Sequence, residues 1–64
     1  MKASRRKIEI AMARAFASTE NLQKSTGLPK TTINNVLKGK NVLPATLGKV
    51  AAGLKVDVTD IIED

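Results

Sequence analysis

Neither a cysteine nor a histidine occurs anywhere in these 64 residues. A chain this short buries only about 60% of the surface its unfolded form exposes, and small domains often make up the shortfall with disulfides or a structural zinc ion. Both devices are excluded here, and so are thiolate or imidazole metal sites and any Cys-His or Ser-His-Asp catalytic arrangement. The fold has to rest on hydrophobic burial alone. With 42% hydrophobic residues, two prolines and four glycines, the composition is that of a globular chain. One domain spanning residues 1–64 is expected, with no room for a second core. Apolar runs are only a few residues long, so neither a membrane span nor a signal peptide is expected and the chain reads as soluble.

The apolar residues recur at helical spacing. Ile8, Ala11, Met12, Ala15 and Phe16 share one stripe and predict a first helix near residues 4–16. Ser18 or Thr19 can cap a second, near 19–26, with Glu20 in the first turn where the helix dipole favours a negative charge. Gly27 then ends it, and Gly27-Leu28-Pro29 makes the turn. A third helix starts near Pro29 or Lys30 and runs to Lys38, closed by Gly39. Pro44 opens a fourth carrying Leu47, Val50, Ala51 and Leu54, in which Gly48 and Gly53 suggest close helix packing. Asp57 can cap a fifth over 58–62; the Val56-Asp57-Val58 stretch has nothing to pair with as a strand. The expected fold is all-α, a compact bundle of five short helices.

Charge is distributed unevenly. Eleven lysines and arginines against six carboxylates give a net +5. Residues 1–14 carry +4 and residues 15–41 carry +3, whereas the remainder carries −2 through Asp57, Asp60, Glu63 and Asp64. Segregation of this kind points to a polyanionic partner. Phe16 is the sole aromatic, so the stacking platforms of single-strand binders are missing and duplex DNA is the better polyanion. On a helix advancing about 100° per residue, Lys30, Asn34, Lys38, Thr31 and Asn35 fall within one polar arc of about 140°, opposite Val36, Ile33 and Leu37. A helix so divided can anchor on its apolar side and enter a major groove with the other.

Taken together, Leu22, Gly27, Leu28, Ile33 and Val36 have the spacing of a helix-turn-helix. The span resembles the lambda-repressor-like domain of the Cro/CI or Xre type. Lys38-Gly39-Lys40 is similar to that family's turn after the recognition helix, Pro44 sits where several phage repressors carry a proline, and the segment from Leu47 to Val58 resembles the family's later helix and turn. The likeness covers residues 8–62 without a gap and places the helix-turn-helix at helices 2 and 3. Four departures stand out. Gln23 replaces a usual alanine, and Thr26 a usual apolar residue. Met12 and Leu37 replace an Arg–Glu pair together, the change that leaves no stranded buried charge. Lys55 occupies a glycine position and needs a left-handed conformation or a different turn.

The resemblance implies a sequence-specific duplex DNA-binding transcriptional regulator, a small repressor or Cro-like protein. Lys30, Thr31 and Asn35 match its base-reading positions, with Asn34 beside them. Lysine suits guanine, asparagine suits adenine, and threonine suits a thymine methyl or a phosphate. Phosphate contacts carry over to Thr19 and to Lys38, Lys40 and Asn41. Arg5 and Arg6, in a basic arm over residues 1–7 or a first helical turn, are further phosphate candidates. Val56, Val58, Ile61 and Ile62 are the expected dimer surface, for a weak homodimer formed mainly on a palindromic operator. The carboxylates read as a helix cap and a solvated tail, so no enzyme, metal, cofactor or small-molecule ligand is expected. The expected location is the cytoplasm of a prokaryotic cell or phage-infected host, at the nucleoid. The competing reading is an antitoxin-type protein-binding module with secondary DNA binding.

Overall fold

A computed structural model describes residues 1–63; Asp64, one of the acidic tail residues, lies outside them. The helices are α1 (Arg5–Ala15), α2 (Thr19–Thr26), α3 (Lys30–Leu37) and α4 (Pro44–Leu54), followed by a single 3-10 turn at Val58–Asp60. Among the described residues there are thus four α-helices, not five. The segment expected as the fifth helix does begin at an Asp57 cap. Its carboxylate accepts from the Thr59 amide at 2.9 Å and from the Thr59 hydroxyl at 2.8 Å. One turn later Ile61 drops into the core and Ile62 pairs in extended fashion with Ala3, so the helix cannot propagate.

That pairing also changes the reading of the N-terminus. Ser4 donates its amide to the Ile61 carbonyl at 2.7 Å and Glu63 donates to Lys2 at 2.9 Å, while Val42 donates to the Met1 carbonyl at 2.7 Å. Ala3 is fully buried between these partners. Residues 1–4 are therefore tied to the α3–α4 loop and the C-terminal turn, and only the first turn of α1 remains of the expected basic arm. Ser4 caps that turn by accepting from the Lys7 amide.

The core draws on every element. Ile8 of α1, Leu22 of α2, Ile33 and Val36 of α3, Leu47 and Val50 of α4, and Ile61 are fully buried. Each such side chain contributes about 1.5–3 kcal/mol relative to exposure. Among the described residues, no polar side chain is buried. α2 packs against both α3 and α4, and α1 reaches α3, α4 and the last turn. Met12 and Leu37 both pack against this core, as expected of two apolar replacements.

α1 ends differently from its expected stripe. Phe16 sits past the last helical residue in the left-handed conformation, φ 52°, and is 95% exposed. The Phe16 amide donates to Ala13 and the Ala17 amide to Met12, the paired bonds of a Schellman motif, which turns the chain into α2. The same pattern ends α4: Lys55 takes φ 59°, with Lys55 donating to Ala52 and Val56 to Ala51. Lys55 thus adopts the left-handed alternative. Of the two glycines in α4, Gly53 meets the packing expectation and Gly48 does not. A methyl on Gly53 would come within 2.9 Å of Thr26 Cγ2, whereas Gly48 faces open space. The Thr26 hydroxyl donates to the Leu22 carbonyl and accepts from the Leu28 amide, satisfying a polar group where an apolar one is usual.

Candidate nucleic-acid interface

α2 opens on a reciprocal cap. Ser18 Oγ accepts from the Asn21 amide at 3.2 Å, and the Ser18 amide donates to Asn21 Oδ1 at 2.9 Å. This fixes the first turn, where Thr19 is half-buried and the amides at the helix start favour an anion. Gly27, at φ 73°, lets the chain reverse through Leu28 and Pro29 into α3 within three residues. Of the two caps the sequence offers, Ser18 and Thr19, it is Ser18 that caps, and Asn21 three residues on is the signal that distinguishes them.

α3 is anchored from behind. Ile33 and Val36 are fully buried and Leu37 packs at the core's edge. On the other side Lys30 and Thr31 are exposed, and Asn34 and Asn35 are half-exposed. Among the described residues, none of these four side chains has a hydrogen-bond or ionic partner. Four donors on one rigid turn-and-a-half of helix are thus left to meet an outside surface.

The turn after α3 gathers positive charge. Gly39 adopts φ 77°, with its amide donating to Val36 and the Lys40 amide donating to Asn35, which swings Lys38 and Lys40 out to solvent. The Arg5 side chain lies directly over this glycine: a methyl there would sit 3.3 Å from Arg5 Cγ and 3.4 Å from the Ala3 carbonyl oxygen. The clamped N-terminal segment therefore delivers Arg5 to the Lys38–Lys40 turn, a juxtaposition across more than thirty residues that no sequence spacing reveals. Arg6 is exposed one position around α1. Lys7 turns instead toward the C-terminal end, its Nζ donating to the Ile62 carbonyl at 3.3 Å. Asn41 Oδ1 accepts from the Met1 ammonium at 2.6 Å, which leaves the amide nitrogen able to donate.

The acidic end has a different role. Hydrogen bonds from the Thr59 amide and hydroxyl hold the Asp57 carboxyl below its ordinary value, as a cap does. Among the described residues, no cluster of three or more carboxylates is arranged to hold a metal ion, and no helix is long and apolar enough to cross a membrane. Of the four aliphatic residues expected at a dimer surface, Ile61 is fully buried. It is a core residue, because the 3-10 turn directs its side chain inward, where Val58 and Ile62 cover it only in part. Val56, Val58 and Ile62 are half-buried and pack against the same core.

A family model described as the Cro/C1-type HTH DNA-binding domain matches residues 7–64. The chain belongs to that family. The match runs from the first turn of α1 through α2, the glycine turn, α3 and α4 to the closing turn. Comparison with curated proteins returned no match, nor did comparison with solved structures.

Proposed function

We propose that this Cro/C1-type domain is a sequence-specific transcriptional regulator, a small repressor or Cro-like protein, that reads duplex DNA with α3. The observation that carries this reading is the division of α3 between buried Ile33 and Val36 and the unpartnered Lys30, Thr31, Asn34 and Asn35. In a major groove, Lys30 donates to guanine, Asn35 pairs with adenine through its amide, and Thr31 and Asn34 meet adjacent edges. Thr19 and the α2 amides hold one phosphate run, and Arg5, Lys38 and Lys40, with Arg6 and Asn41 alongside, hold another. Contacts at the two ends of the helix-turn-helix fix the register in which α3 lies. Repression then follows from occupancy of the site, and two copies on a palindrome give the discrimination one short helix lacks.

The test is selection from a random duplex library after titration against unselected duplex at several salt concentrations. A regulator of this kind enriches a defined motif and binds it about 10³-fold or more tighter than the unselected pool. A protein that binds the pool in a salt-dependent way and enriches nothing has a basic surface but no reading helix.

A further inference from the structure

Between the C-terminal ends of α1 and α4 and the side of α2 lies an open groove of about 530 Å³. Ala11, Leu54 and Val56 supply its aliphatic lining, Arg14 and Lys55 its charge, and Phe16 stands at its edge. A second hollow of about 300 Å³ shares Ala11, Arg14 and Val56 and adds Ile10, itself 43% exposed. No residue of α3 or of the Lys38–Asn41 turn lines either hollow, although Asn21 and Ser25 of α2 border the larger one.

Two features of Phe16 are not explained by folding. The ring makes no contribution to the core, being 95% exposed, although it is the chain's only aromatic. Its backbone is left-handed, a conformation in which a Cβ crowds the following carbonyl and which glycine adopts freely. A residue chosen for the fold alone would be glycine. Phenylalanine and arginine are both enriched at protein–protein interfaces relative to the rest of the surface.

We propose that this groove docks a protein partner through a short acidic segment with an apolar anchor. Charge complementarity selects that occupant. Arg14 and Lys55, the charged groups of the larger hollow, are both cations, and neither has an ionic or hydrogen-bonded partner among the described residues. In the adjoining hollow Lys7, whose Nζ is held by Ile62, and Asp60 offset each other. A second copy placed symmetrically would set Arg14 and Lys55 against themselves. An incoming segment instead lays its apolar side chain against Phe16 and Val56 and its carboxylates on Arg14 and Lys55, forming charge-assisted bonds. None of these anchoring residues belongs to α3 or to the Lys38–Asn41 turn.

The experiment pans a displayed library of short random peptides against the wild-type protein, with Arg14→Glu/Phe16→Ala as the counter-bait. Enriched peptides should carry Asp or Glu around an apolar or aromatic anchor. They should shift the amide resonances of residues 15–17 and 53–56, and lose about tenfold or more in affinity for Phe16→Ala and for Lys55→Glu. Prior addition of a random-sequence duplex should leave their binding unchanged. Phe16→Gly separates docking from folding, since it should keep or raise the melting temperature and still lose the peptide. The proposal is overturned if the counter-bait retains the same peptides, if the enriched sequences lack acidic residues, or if duplex DNA displaces them. It is also overturned if the wild type self-associates and Phe16→Ala abolishes that association, because the occupant is then a second copy.

Discussion

At the scale of single residues, the glycines and left-handed positions separate what the fold requires from what it tolerates. Gly48 faces open space inside α4, so it brings the usual helix penalty of glycine and no packing benefit. Gly48→Ala should stabilise the domain by about 0.5–1 kcal/mol, read as a higher melting temperature. Gly53 is the opposite case. The methyl of Gly53→Ala would meet Thr26 Cγ2 at 2.9 Å, and that methyl cannot swing away while its hydroxyl bridges Leu22 and Leu28. Gly53→Ala should cost about 1–3 kcal/mol, and adding Thr26→Ser, which keeps the hydroxyl and removes the methyl, should restore most of it. Unfolding of the four proteins in urea forms the double-mutant cycle; additive effects would mean that the two sites do not touch. Phe16 offers a further check. Relief of its left-handed strain, about 1–2 kcal/mol, exceeds the entropy cost of a glycine, about 0.5–1 kcal/mol. Phe16→Gly should therefore raise stability slightly, and a clear loss would show that the ring packs somewhere in the native state.

At the scale of elements, α3 and the turn behind it should respond differently to mutation. Lys30→Ala and Asn35→Ala remove unpartnered side chains, so the fold should persist. Each should lose about 1–3 kcal/mol of specific affinity and relax base preference at one position. Unchanged selected motifs for both variants would exclude α3 as the reading element. Arg5→Ala and Lys40→Ala, by contrast, should weaken binding to every duplex about equally and lower the salt slope by about 1 apiece. The boundaries of α2 and α4 were legible because each has local punctuation: Ser18 and Gly27 for one, Pro44 at the first turn for the other. The polar arc of α3 was legible because one helix fixes it. Three features were hidden, one because a local turn overrides the helical period and two because they depend on residues distant in sequence. Phe16 continues the periodic stripe of α1 on paper, yet the turn into α2 takes it out of the helix. Ile62 could not be seen to pair with Ala3, nor Arg5 to cover Gly39, because both contacts close the chain's beginning onto later segments.

At the scale of the whole molecule, the proposed reading of DNA by α3, a helix of eight residues, raises the question of discrimination. Such a helix reads only a few base pairs, and operator-level selectivity usually takes two half-sites about 34 Å apart on one face of the duplex. The aliphatic residues that a dimer would use are largely committed within the monomer. Ile61 is fully buried, and Val56, Val58 and Ile62 lie against its own core. Near the basic turn after α3, Leu43 is 72% exposed, two residues past Asn41. That is a small apolar surface for a stable interface, which typically buries about 800 Å² on each partner. Asp60 and Glu63 add like charge if the C-terminal ends approach across a two-fold axis. Self-association in free solution should therefore be weak, with mostly monomer at micromolar concentration by sedimentation. On the proposed palindromic site, DNA would supply what the interface lacks by holding two copies in register, which raises their effective concentration. Two copies should then bind each palindromic site cooperatively, and Leu43→Ser should reduce the cooperativity while leaving half-site affinity intact. A single copy bound to an asymmetric site, with no second copy joining at any concentration, would rule out the two-fold arrangement and leave α3 to read its site alone.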